Sequence, residues 1–409
     1  MHFSTYSSPI PDKNPNFATH QSTEVMRKIV LAIDSFKGSL TSAEAEAAAL
    51  EGIRRVYPQA EIVCIPIADG GEGMLEALSA LRAQEVRLRV QGPLDEKVEA
   101  RYLISSDGQT AYIEMASASG LPLVPENQRN PLQTTTRGTG ELMRDALDRR
   151  CNHLVIGLGG SATNDGGMGM LSALGIRFLD RQGQELEGRG CDMEETDRIE
   201  TSFAHPALKA VRCTAACDVR NPFYGPEGAA YIFSPQKGAS PDEVQQLDKG
   251  LRHLAELYRQ TTGHDIATLP GAGAAGGLGG ALAAFLNAAL CPGISLLLEA
   301  NGFRDKIKGA DLIITGEGHA DQQTTMGKVP AGVLNESRQT GIPVVLIAGQ
   351  VADKEILRSA GFSQVYATTP PDMPLSTAMQ KDVAQTNISR TIERILKEGS
   401  YIRNNTKIR

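Results

Sequence analysis

Between Gly157 and Met170 the chain reads GLGGSATNDGGMGM, six glycines in fourteen residues. An apolar run, HLVI, precedes it, and an apolar-periodic segment, MGMLSALG, follows. Glycine loses more backbone freedom on folding than any other residue, so such a cluster needs a reason. The usual one is an anion held against bare backbone N–H groups at a helix start. Gly159, Gly160 and Ser161 are the expected cradle for a phosphate-bearing ligand. Asp165 is the one charged residue inside the stretch. A carboxylate beside phosphates is repelled unless a metal ion or a transferring proton balances it. Asp165 is therefore expected at the reacting hydroxyl, as general base or metal ligand.

Further acids fall where parallel strands should end. Asp34, Ser35 and Lys37 follow KIVLAI; Asp69 and Glu72 lie in ADGGEG; Asp218 closes TAACD; Glu317 and Asp321 follow DLIIT. Open parallel sheets bind ligands beyond the carboxyl ends of their strands. Asp after a strand is often only a helix cap or turn residue, but these acids sit among glycines, which let a ligand approach the backbone. Acids beside glycine nests suit phosphoryl transfer, with one or two holding Mg²⁺ and another accepting a hydroxyl proton. The catalytic candidates are Asp165, Asp69, Asp218 and Lys37. Those for the substrate are Asp34, Ser35, Lys237 in PQKGA and Arg137, whose guanidinium suits a carboxylate. Those for the nucleotide are Gly159, Gly160, Ser161, Lys328 in MGKVP, and Gly271, Gly273 and Gly276 of GAGAAG. Glu317 and Asp321 are the candidates for the metal.

Two other readings compete. GLGGSA fits G-x-G-x-x-A and GAGAAG fits G-x-G-x-x-G, with Asp180 about where a ribose-binding acid belongs, so a nicotinamide-dependent dehydrogenase is the alternative. Against it, HDIATLP before GAGAAG is no strand, and GLGGSATNDGG stays polar where the dinucleotide helix should begin. A non-catalytic binding protein would explain a cleft but not the acids at the strand ends. No Walker G-x-x-x-x-G-K-[ST] occurs, nor the protein-kinase H-R-D and D-F-G set.

These residues need a scaffold. KIVLAID, EIVCIPI (61–67), DLIITGEG (311–318), IPVVLIAG (342–349) and QVYATT (364–369) read as buried strands alternating with helices, hence a parallel sheet. Thr41 and Glu44 have the spacing of a capping box for a helix over about 42–57. Residues 85–115 read as an antiparallel three-strand meander turned by GPLD and SSDG. The expected architecture is α/β: a Rossmann-like parallel-sheet domain from 27–85 and 291–409, with a second, mixed α/β domain, 86–290, inserted. The uncharged stretch 271–298 is poor in the residues that favour membrane insertion. It is expected to be a small-residue loop and then a buried helix around 280–290. Residues 1–26, rich in Ser, Thr, Asn and Pro, match neither secretory nor transit peptides and are expected to be a disordered leader.

Composition narrows the partners. With 41% apolar and 22% charged residues the chain is globular, and a net charge of −7 argues against nucleic acid or an anionic membrane. The six cysteines lack metal-site spacing and read as reduced thiols of a cytoplasmic protein.

AIDSFKGSL, IADGGEG, TTTRGTGEL, GLGGSATNDGGMGM, ACDVRNP, SPQKGA, PGAGAAGGLGG, ITGEGHADQQ and GKVPAGV occur in this order. In these motifs, from about Arg27 to Leu396, the chain resembles the bacterial type I glycerate kinase family. It departs at Ile33, where that family's motif has Pro, and at His319, where it has Arg. The resemblance implies ATP-dependent phosphorylation of D-glycerate with Mg²⁺, giving 2-phosphoglycerate, with 3-phosphoglycerate the alternative. It leaves open whether the chain works as a monomer or a homodimer.

Overall fold

The computed structural model describes residues 26–65, 67, 74–79 and 83–399. Residues 1–25 of the expected leader lie outside this set, while Met26 is buried in the core. In chain order the strands are β1 (Lys28–Ile33), β2 (Glu61–Cys64), β3 (Gln84–Gln91), β4 (Lys97–Ile104), β5 (Thr110–Glu114), β6 (His153–Gly157) and β7 (Arg177–Leu179). They continue with β8 (Arg198–Glu200), β9 (Arg212–Ala216), β10 (Ala289–Cys291), β11 (Leu312–Ala320), β12 (Val344–Val351) and β13 (Gln364–Ala367).

The first sheet has the order β13-β12-β11-β1-β2, with every neighbouring pair parallel. Its central strands are apolar on both faces because helices cover both. The helices Ser42–Val56 and Lys381–Glu398 pack on one face. The first starts at the expected capping box, Thr41 with Glu44. Counted within this sheet the order is 2-1-3-4-5, the flavodoxin-like variant of a doubly wound fold, and the chain reverses direction across the sheet between β1 and β11. In register there, Ile33 lies beside Gly316, so Asp34 and Glu317 leave neighbouring strands side by side.

The second sheet has the order β10-β9-β6-β5-β4-β3. The meander β3-β4-β5 is antiparallel, as expected, and β5, β6, β9 and β10 are parallel. The expected helix over 280–290 is shorter. It runs Leu278–Leu286 and ends on Asn287 at φ 50°, whose backbone N–H bonds to Leu282 O. Ala289–Cys291 then turns into β10. Small apolar residues serve either state, and the αL residue decides.

The helix Gly293–Ala300 is apolar on both sides. Ile294 and Leu298 belong to the core of the parallel sheet, while Leu296 and Leu297 join Met74, Leu75, Leu103, Val155 and Ala216 against the second sheet. Gly332 lets it close in, since a Cβ there would lie 2.5 Å from Ile294 Cγ1. Among the described residues no helix is long and apolar enough to cross a membrane.

Candidate functional site

The carboxyl ends of the two sheets open into two cavities, and the expected residues divide between them. The first, of about 400 Å³, sits at the reversal between β1 and β11. Asp34, Ser35 and Lys37 line it from one strand, Glu317 and His319 from the other, with Lys328 and the apolar Phe36, Leu375 and Met379. Asp34 is buried; its backbone N–H bonds to Gly316 O at 2.9 Å and its Oδ1 accepts from Ser35 N at 2.7 Å. Glu317 is buried with Oε2 3.7 Å from Lys328 Nζ, and its Oε1 has no hydrogen-bond partner. Burial pushes its carboxyl pKa up, against Thr324 and Lys328, which hold it down. Asp321 does not line this cavity: its Oδ1 accepts from Gln323 N at 2.8 Å, and its Oδ2 lies 3.9 Å from His319 Nε2. Ile33 is fully buried inside its strand, and the His319 side chain is about half exposed.

The second cavity, of about 650 Å³, lies beyond β6 and β9. Gly159, Gly160, Ser161, Asp218, Lys237, Arg129, Ala274 and Ala275 line it. Gly160 has φ 71°, and among the described residues no protein group accepts from the backbone N–H groups of Gly159, Gly160 or Ser161. Lys237 is fully buried; its Nζ donates to Ser161 Oγ at 2.7 Å and to Thr163 O at 2.6 Å. Burial lowers its pKa to about 7, opposed by the charge of Asp165. Asp218 Oδ1 accepts from Gly293 N at 3.0 Å, at the positive end of the helix Gly293–Ala300.

Asp165 does not hold its expected place. It lines neither cavity and is completely buried. Its carboxylate accepts from Thr136 N and Oγ1, both at 2.7 Å, from Gly167 N at 3.0 Å and from Gly169 N at 3.2 Å. It ties the helix Met168–Ala173 to the one that starts at Arg137. Arg137 lines neither cavity, and its Nε lies 3.9 Å from Glu141 Oε1.

The three glycines of GAGAAG line neither cavity. A Cβ on Gly273 would lie 2.3 Å from Pro222 O, and one on Gly276 2.1 Å from Thr163 O. Gly276 packs against the first glycine stretch, joined by Gly166 N to Gly276 O at 3.0 Å. Within GAGAAG, Ala274 and Ala275 line the second cavity, whereas Gly271, Gly273 and Gly276 do not. The dehydrogenase alternative fails on geometry as well. The helix after β6 begins only at Met168, and Asp180 closes a turn, accepting from Gln182 N and Gln184 N. Asp69 and Glu72 lie outside the described residues.

A sequence profile described as the glycerate kinase family matches residues 29–399. The chain belongs to the glycerate kinase family. A glycerate kinase of Halalkalibacterium halodurans is 46% identical over 358 residues, 87% of this chain and 94% of that protein. A glycerate 2-kinase of Escherichia coli is 46% identical over 342 residues, 83% of this chain and 90% of that one. A crystal structure from Salmonella typhimurium LT2, described as glycerate kinase 2, superposes with a TM-score of 0.81 at 42% identity. It covers 92% of this chain and all of that one. The family match spans both sheets, and the enzyme is a glycerate kinase in class.

Two groups escaped sequence reasoning. Arg129 lines the second cavity with its Nε buried and unpartnered, but NQRNP carries no signal for it. Glu46 is buried within SAEAEAAAL, where it reads as one more helix former. Burial pushes its pKa to about 8, against the backbone of Ile33 and Ile65. The unfolded carboxyl ionises near pH 4.5 and the folded one near 8, so Glu46 costs stability as pH rises through that window. Glu46→Gln should therefore raise the melting temperature at pH 8 and leave it unchanged at pH 4, a difference of up to about 4 kcal/mol. Thermal unfolding at both pH values checks it.

Proposed function

We propose that the chain transfers the γ-phosphoryl group of ATP to D-glycerate, forming 2-phosphoglycerate and ADP in the cytoplasm. The observation that carries this is the Gly159–Ser161 loop, whose free backbone N–H groups and buried Lys237 face a cavity of nucleotide size. The loop would take the phosphate chain. The first cavity would take glycerate, with Lys37 and Lys328 facing its carboxylate and Asp34 and Ser35 its hydroxyl groups. Asp218, on the wall of the second cavity, faces the donor, and Asp69 remains a candidate base. In the first cavity the unpartnered Oε1 of Glu317 suits a metal ion. When bound, Mg²⁺ would offset the charge developing on the transferred group. We also propose the division of the chain at 85/86 and 290/291 into a parallel-sheet domain and an insert, the helix Gly293–Ala300 being shared.

Mixing the protein with ATP, Mg²⁺ and D-glycerate should release ADP, and phosphorus NMR should show the 2-phosphate ester. A 3-phosphate ester would replace the product assignment, and absence of glycerate-dependent ADP would overturn the reading.

A further inference from the structure

Lys237 and Ser161 are 76 positions apart, and one hydrogen bond joins them. An ammonium group donates and cannot accept. Two of its N–H bonds are fixed by Thr163 O, which only accepts, and by Ser161 Oγ. The hydroxyl proton of Ser161 therefore cannot point back at Nζ. Ser161 Oγ lies in the cavity wall beside the free N–H groups of Gly159 and Gly160. The loop itself is pinned from behind, by Leu121 N to Gly160 O at 2.8 Å and Ala162 N to Ser119 O at 2.9 Å.

We propose that Lys237 is a positioning residue that occupies a lone pair of Ser161, so that the Ser161 hydroxyl donates to an anionic oxygen of a ligand at the Gly159–Ser161 loop. This deepens the reading above, in which that oxygen belongs to a phosphate. The shared chemistry, an anionic oxygen, also fits a carboxylate. Lys237 is fully buried at the cavity wall, with two of its three N–H bonds committed to Ser161 Oγ and Thr163 O. The charged and titratable groups around it are Asp165 in the same loop, Arg129 and Asp218 on the cavity wall, Cys217 beside Asp218, and Tyr258, which donates to Gly166 O. With a pKa of about 7, Lys237 gives up its charge as pH rises from 6 to 9, and its pull on Ser161 weakens.

Calorimetric titration of the full chain with inorganic tripolyphosphate and, separately, with D-glycerate tests this without requiring turnover. Ser161→Ala should weaken binding of one probe by about tenfold to a hundredfold, the range for a hydrogen bond to a charged group. Loss on the tripolyphosphate arm identifies the oxygen as phosphate, and loss on the glycerate arm as carboxylate; either upholds the proposal. Lys237→Met should weaken the same probe, and the double variant should bind no worse than Lys237→Met alone. Wild-type affinity for that probe should fall between pH 6 and 9, and the Lys237→Met variant should lose this dependence. Should Lys237→Met fail to fold, Ser161→Ala and the wild-type pH profile decide. Unchanged binding in Ser161→Ala, additive losses in the double variant, a flat wild-type profile, or no binding of either probe would overturn the proposal. The kinase reading stands or falls separately, on glycerate-dependent ADP release by the wild type.

Discussion

Gly276→Ala should destabilise the packing around the second sheet severely. Gly276 sits at φ 65°, ψ 32°, and the residue before it, Ala275, is also left-handed at φ 52°. The backbone conformation alone costs a β-carbon about 1 kcal/mol. The larger cost is steric. The new methyl would lie 2.1 Å from Thr163 O and 2.5 Å from Asn164 Cα, and both are backbone atoms that cannot rotate aside. The two glycine segments would have to part, breaking Gly166 N to Gly276 O and carrying Thr163 O away from Lys237. Such overlap belongs with the exceptional substitutions, above about 4 kcal/mol. The melting temperature should fall by more than about 10 °C. A scanning calorimeter checks this, and a change within about 3 °C would show that the two segments do not meet as described.

Asp165→Asn should cost stability before it costs chemistry. The carboxylate receives three backbone N–H groups and one hydroxyl. An amide offers one acceptor oxygen and turns two donors toward groups that are themselves donors. Each buried N–H left without an acceptor costs about 1–3 kcal/mol. A loss of about 3 kcal/mol is expected, or roughly 6–12 °C in melting temperature for a lobe of this size. Removing Asp165 also takes away the anion that supports the charge of Lys237, so the Lys237 pKa should fall further. Turnover per folded molecule, measured well below the transition, should stay within about tenfold. A hundredfold loss with an unchanged melting temperature would return Asp165 to the reacting centre.

What the sequence revealed, and what it hid, follows from the range of each interaction. KIVLAI, DLIIT and IPVVLIAG are β-branched apolar runs, and Thr41 with Glu44 is a four-residue signal, so local chemistry was enough for them. The order of the strands was not local: nothing in KIVLAI says that β11, almost three hundred residues later, lies beside it. The acids at the strand ends were legible because doubly wound sheets place ligands there, and Asp34 and Glu317 do line a cavity. Asp165 misled because a glycine-rich setting is shared by ligand loops and by backbones that pack closely. Only the partner segment tells these apart, and for Asp165 the partner was Thr136 on another element. Glu46 was hidden for the converse reason: its neighbours in sequence are helix formers, while its burial comes from the end of the sheet.

The second sheet enters and leaves the chain at opposite edges. It begins with β3 and closes with β10, the two outermost strands. Five inter-strand steps of about 4.8 Å place those edges about 24 Å apart. A module spliced into a surface loop would have its ends close together and could be cut out with a short linker. Here a shortened gene encoding only the parallel sheet and its helices would need at least about eight extended residues, or about twenty flexible ones, to bridge the gap. It would also strip Leu296 and Leu297 of the sheet they rest on, leaving a greasy flank on the truncated product. The two sheets therefore share a wide seam at the helix Gly293–Ala300, and a fragment carrying only one of them should not be expected to survive alone.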